Sequence, residues 1–170
     1  MKKYLLLILL VGTVVMIVVM TKTGATLKTP ATPKGILNLE FAYNPTKAAI
    51  VTTAWAGNNI GAAKTNTYLD FIFLFFYSLF LFFACDKITR ITKSRVGTLI
   101  TNGALYAGIL DIVENAGMLI TLSGSGSGTT AFITTFCSLI KWALALLAAA
   151  YCLAGLIYII SKKKMKLLLA

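Results

Sequence analysis

Residues 68–85 read YLDFIFLFFYSLFLFFAC. Seven of the chain's ten phenylalanines fall here (Phe71, Phe73, Phe75, Phe76, Phe80, Phe82 and Phe83), and Asp70 is the only charged residue of the stretch. A helix needs roughly 20 mainly apolar residues to cross a bilayer, and about 17 suffice, so this stretch is long enough to span. A β-barrel strand would alternate apolar and polar residues over about ten positions, and this stretch does not. The remaining positions Asp70, Leu74, Tyr77, Ser78, Leu81, Ala84 and Cys85 recur at helical spacings of three and four. They form one stripe from which phenylalanine is absent, so the stripe is expected to face protein and the phenylalanines lipid or lateral neighbours.

Three other apolar stretches behave alike, at 4–20, 96–122 and 130–160. Together the four predict an all-α membrane protein, a four-transmembrane-helix bundle forming one domain over 1–170. The connections are an external segment 21–67, a cytoplasmic loop 86–95, an external loop 123–129 and a cytoplasmic tail 161–170. The composition agrees, with 58% hydrophobic and 12% charged residues, against roughly 45–50% and 25% in an average soluble domain. The first span also resembles a secretory signal. Its apolar run exceeds the usual 7–15 residues and no A-x-A site follows, so an uncleaved anchor is expected. No cysteine near its end supports lipoprotein processing.

Sixteen Lys and Arg stand against five acids. Lys2, Lys3, Lys87, Arg90, Lys93, Arg95, Lys162, Lys163, Lys164 and Lys166 all fall on one side of a four-span chain. The other side has Lys22, Lys28, Lys34, Lys47 and Lys64, spread over a longer segment. The positive-inside rule then places both termini in the cytoplasm, and the expected location is an inner membrane. The net charge of +11 reads as topology and contact with anionic lipid rather than nucleic-acid binding, for no aromatic–basic interleaving accompanies it.

The chain has no histidine, which excludes His-liganded haem or zinc, a Ser-His triad and a histidine proton shuttle. Cys85, Cys137 and Cys152 form no C-x-x-C pair, against a thiol–disulfide oxidoreductase. Ser123–Gly128 alternates Ser and Gly but lacks the lysine of a phosphate loop, so it reads as a flexible connection. In the external segment, Pro30 and Pro33 mark a linker, and residues 35–42 (GILNLEFA) read as strand-like or amphipathic. Asn44-Pro45 supplies an N-cap and a first-turn proline, predicting a short interfacial helix over Pro45–Trp55, packed over the outer ends of the spans. Asn58 and Gly61 suit the loop returning to the second span.

The third span carries Gly97, Thr101, Ala104, Gly108, Asp111, Asn115, Met118 and Leu122 in steps of four and three. The fourth carries Thr134, Ser138, Lys141, Ala145, Ala148, Cys152 and Gly155 likewise. Small residues let membrane helices approach and polar ones bond across the contact. Glu114, three residues after Asp111, projects from a neighbouring part of the same face. At about 1.5 Å per residue, Asp111 and Lys141 both lie about 15–16 Å from the outer helix ends, and Tyr77 lies at a similar level. Asp70 and Glu114 are shallower.

Asp70, Tyr77, Asp111, Glu114, Asn115 and Lys141 therefore form a candidate binding cluster in the outer half of the bundle. An ionised residue at mid-bilayer costs roughly 2.5–3.5 kcal/mol on insertion scales, so partners are required. Asp70, Asp111 and Glu114 against Lys141 leave a charge of minus two if all ionise; either carboxyls stay protonated or a cation enters. Glu40, the only acid of the external segment, either folds back as a cap over the cluster or lies solvated at the surface. Asp86 reads as a cap or surface pair beside Lys87.

Three readings follow. The cluster receives a lipid headgroup, a cation or protons; or Asp111 and Glu114 serve an enzyme acting on a lipid or polyprenyl substrate; or the chain is a structural subunit whose internal ion pair fixes helix register. The first is preferred, with no resident cofactor or metal. Membrane lipids are the expected partners, together with another membrane protein or a second copy of the chain. For the enzyme, Asp111 and Glu114 with the Asn115 carbonyl would be the oxygen ligands of a divalent ion.

The residues GILNLEFA at 35–42, Trp55, Leu69-Asp70-Phe71, Asp111-Ile-Val-Glu114-Asn115 and Lys141-Trp142 together resemble the pattern of an uncharacterised family of bacterial four-helix integral membrane proteins. The resemblance covers nearly the whole chain and implies that Glu40, Asp70, Asp111, Glu114, Asn115 and Lys141 are its polar positions. It implies no activity.

Overall fold

The computed structural model describes residues 4–57 and 59–168, with side chains through Lys162. Lys2, Lys3 and Asn58 lie outside the described residues, as do the side chains of Lys163, Lys164 and Lys166. Of the described residues 84% are in helix, and none is in a strand. In order these are α1 (Leu5–Thr23), a 3₁₀ turn (Ala25–Leu27), α2 (Leu37–Glu40), α3 (Pro45–Ala54), α4 (Asn59–Thr92), α5 (Arg95–Leu122) and α6 (Gly128–Leu168). Four helices (α1, α4, α5 and the 128–162 part of α6) are long and apolar enough to cross a membrane.

The helices run beyond the apolar stretches that nucleate them. The 34-residue α4 starts nine residues before Tyr68 and ends seven after Cys85. At about 1.5 Å per residue it is about 51 Å long, well beyond a hydrocarbon core of about 30 Å. Backbone hydrogen bonding does not stop where apolarity stops, and good helix formers such as Ala62, Ala63 and Lys64 carry it outward. At the other end Asp86 pairs with Arg90 at 2.9 Å rather than with Lys87, since i and i+4 share a helix face and adjacent residues do not.

Residues 37–40 form a helical turn where a strand-like piece was one expectation. A lone strand would leave its backbone groups without partners, and no second strand exists among the described residues. Gly35 enters that turn at φ +61°, a left-handed conformation that glycine adopts without a side-chain clash. Asn44 caps α3 as its sequence predicts, its side chain accepting the Lys47 N–H at 2.9 Å.

α3 lies over one end of the bundle. Leu27, Leu39, Val51, Trp55, Ala63, Met118 and Leu122 form a closed apolar plug there. Trp55 is fully buried, and its indole N–H donates to the Leu27 carbonyl at 2.9 Å and to the Thr32 hydroxyl at 3.1 Å. That satisfied donor lets a side chain of this size sit inside without an unpaired polar group. Below the plug, α5 packs against both α4 and α6. Every residue of the phenylalanine-free stripe on α4 is buried, as is every residue of the α5 seam, and none of the seven phenylalanines is. The α5 seam permits close approach: a Cβ on Gly108 would stand 2.8 Å from the Ser78 hydroxyl, and one on Gly117 would collide with that of Thr134.

α1 stands apart from this three-helix core. It packs on α4, where Gly12 receives the Phe76 ring. The Asn66 amide donates to the Met20 carbonyl at 3.0 Å and the Thr23 hydroxyl at 2.7 Å, fastening the end of α1 to α4. The Met20 carbonyl already accepts the Gly24 N–H at 2.9 Å, so the Asn66 amide occupies its second lone pair.

Candidate binding site

Four elements bring the site together. α5 presents Asp111, Glu114 and Asn115 on its buried face, α6 presents Lys141, α4 presents Asp70 and Tyr77, and the α2 turn folds Glu40 in from above. The Lys141 ammonium donates to Asp111 Oδ1 at 2.7 Å and to Glu114 Oε1 at 2.9 Å. Glu114 Oε2 is also 2.9 Å away, in ion-pair contact but without a hydrogen bond of its own. The second Asp111 oxygen accepts the Tyr77 hydroxyl at 2.7 Å, and the Asn115 amide approaches Oδ1 at 3.4 Å. Each acid that touches the ammonium is thus held by α5, and the bond to α6 ties the two helices at this level.

Glu40 closes the cluster. Only 4% of it is exposed, so of its two expected placements the folded-back one occurs. Its Oε2 accepts from the Ser138 hydroxyl and the Trp142 indole, both at 3.1 Å, and lies 4.0 Å from the Lys141 ammonium. Its backbone carbonyl accepts the Thr135 hydroxyl at 2.9 Å. The turn is therefore pinned to α6 by main chain and side chain together.

Asp70 is different. It is 7% exposed, yet among the described residues it enters no ion pair; the Asn115 amide is the polar group that faces it. Charge counting sharpens accordingly. Glu40, Asp70, Asp111 and Glu114 are four buried carboxyls facing the single ammonium of Lys141. Burial of that many ionised groups is unfavourable unless protons or a further cation join them.

A cavity of about 580 Å³ opens beside the cluster. Its walls are α1 (Thr13 to Thr21) and α6 (Lys141 to Ala149), its back is α4, and the 24–40 segment roofs it. Glu40, Asp70, Tyr77, Asp111 and Lys141 line its polar part, with Lys28, Lys34, Asn66 and Thr67 toward the roof, while Ile17, Phe73, Phe80, Leu81, Leu146 and Ala149 line much of its apolar part. Glu114 and Asn115 lie behind, in the α5 packing. The stretch of α1 from Thr13 to Gly24 makes the groove about 16 Å long.

All six residues of the expected cluster lie in this region, and Glu40 joins them. Asn66 and Thr135 are not singled out by the sequence. The only sequence trace of Asn66 is a lone amide just outside an apolar run. Asp111 and Glu114 do not suit a divalent ion, because their oxygens are taken up by Lys141 and, for Asp111 Oδ2, by Tyr77, and no group of three metal-ligating side chains occurs among the described residues. In the opposite half of the bundle, the free thiols of Cys85 and Cys152 lie 3.3 Å apart. No family model, curated protein or solved structure matches the chain.

Proposed function

We propose that the chain is a multi-pass inner-membrane protein, a four-transmembrane-helix bundle with both termini cytoplasmic, that binds the polar end of a membrane amphiphile in the groove between α1 and α6. The observation that carries this reading is an apolar groove ending on a charged, buried cluster. A membrane ligand site combines mainly apolar walls with a few convergent polar groups. Ionisable residues inside a bundle commonly mark such a pathway. The ion pair between Lys141, on the groove wall, and Glu114, behind it, supplies rigidity, whereas Asp70 has no ion-pair partner among the described residues and faces the space itself. The enzymatic alternative through Asp111 and Glu114 is less favoured, since Lys141 engages both. The external position of 21–67 rests on the basic flanks, and the α3 cap lies on that side.

Native mass spectrometry of the full chain released from nanodiscs tests the reading. One amphiphile should remain bound to the native protein. Ala145→Trp, which fills the groove beside Lys141, should release it without unfolding the bundle. Equal retention by the filled variant would refute the groove as the site. Topology is checked by labelling single cysteines placed at Lys47 and Lys93, where only the first should react from outside.

A further inference from the structure

Building on that reading, we infer that the amphiphile carries a cationic nitrogen at its polar end, and that it enters sideways from the bilayer between α1 and α6. The sign of the ligand follows from how the cluster is satisfied. Lys141 has its hydrogen bonds directed to Asp111 and Glu114, with Glu40 4.0 Å away. Two of its three N–H groups are engaged there, and an anionic headgroup seeking the third would have to enter among Asp111, Glu114 and Glu40. An entering anion would also meet Glu40, Asp70 and Asp111 on the cavity wall. An entering ammonium meets the 7% exposed carboxyl of Asp70, which has no ion-pair partner among the described residues, and offsets part of the excess of the four buried acids over the one buried lysine, Lys141. Charge-assisted bonds to a carboxylate are the stronger kind. Aromatic faces add to this, because Phe73, Tyr77 and Trp142 line the same space and ring faces attract cations.

The route follows from the walls. α1 packs on α4 and not along α6, so the groove faces the surrounding apolar phase along its length. At the roof, Lys28 and Lys34 line the opening and are exposed. They repel a small free cation arriving from water, while a ligand arriving with its tail in the bilayer does not pass them. The apolar length of the groove below the acids then holds the tail.

The test uses the full chain in zwitterionic-lipid nanodiscs, titrated with dodecylamine, dodecanol, dodecyl phosphate and methylammonium. Trp142 emission reports occupancy, while Trp55 is shielded in the plug. Dodecylamine should give a saturable shift about tenfold or more tighter than dodecanol. Dodecyl phosphate should bind no better than dodecanol, and methylammonium should give no shift at comparable concentration. Asp70→Asn should bring dodecylamine down to the dodecanol level and leave dodecanol unchanged, which also shows that the variant is folded. Tighter binding of dodecyl phosphate would overturn the cationic ligand yet leave the groove reading intact. Binding of methylammonium as tight as dodecylamine would overturn the amphiphile. Absence of saturable binding by all three long-chain probes would remove the groove reading itself.

Discussion

Replacing Lys141 by Met removes the only cation from a site with four buried carboxyls and keeps most of the side chain's length. The ammonium lies 2.7 Å from Asp111, 2.9 Å from Glu114 and 4.0 Å from Glu40, with the residue only 6% exposed. Removing one partner of a buried pair costs about 3–5 kcal/mol, because the other charge stays behind uncompensated. In a bilayer the unfolded reference also finds polar partners, which places the expectation at the lower end, about 3 kcal/mol. Glu114→Gln keeps the shape and one acceptor of a residue behind the groove, and should cost about 1–3 kcal/mol. With both changes, Lys141's loss no longer strands Glu114, so the double variant should be more stable than the two single effects summed, by about 0.5–3 kcal/mol. Unfolding in mixed micelles, followed by far-UV circular dichroism as the denaturing detergent fraction rises, measures all four proteins. A Lys141→Met variant within about 1 kcal/mol of the native protein, additive with Glu114→Gln, would refute an ion pair that holds α5 to α6.

The same geometry sets other expectations. Gly117→Ala drives a methyl into the Thr134 hydroxyl and should destabilise by about 1–3 kcal/mol. That hydroxyl has no hydrogen-bond partner, so Thr134→Ala should be nearly neutral and should recover most of the loss in the double variant, read in the same unfolding assay. Trp55→Phe removes the donor to Leu27 and Thr32 and should cost about 1–3 kcal/mol; limited proteolysis should then cut the 24–40 segment faster, and unchanged cutting would show that the plug does not hold that segment. A membrane-permeant oxidant should join Cys85 to Cys152 and leave Cys137 as the one maleimide-reactive thiol after denaturation. Three reactive thiols would show that the α4–α6 contact is looser than 3.3 Å.

The helical stripes were legible because each helix carries its own signal. Phenylalanine is missing from one face of α4, and small or polar residues recur at four and three along α5. Period 3.6 maps sequence spacing onto one side of a cylinder, so the buried face follows from one element alone. The meeting of Asp111 with Lys141 was legible for a related reason, since equal depth in the bundle is a count of residues from a shared end. Glu40 was only half legible. Nothing local distinguishes a buried glutamate from a solvated one in a segment with prolines on one side and a capped helix on the other. Its burial comes from Ser138, Trp142 and Thr135, about a hundred residues away in the chain.

Sequence alone determined the number of long apolar helices, the faces they bury and the level at which the acids and Lys141 meet. Each of these is a one-dimensional property, read from composition or from a fixed rise and period. The tertiary structure alone decided that α1 stands off from α6, and that the space between them is a groove. It also decided that Glu40 roofs this groove while Asp70 has no ion-pair partner among the described residues. Those features depend on which helix neighbours which and how far apart they stand. That choice is made by contacts between distant residues, such as Asn66 on the end of α1 and Thr135 on the Glu40 turn, which no local pattern encodes.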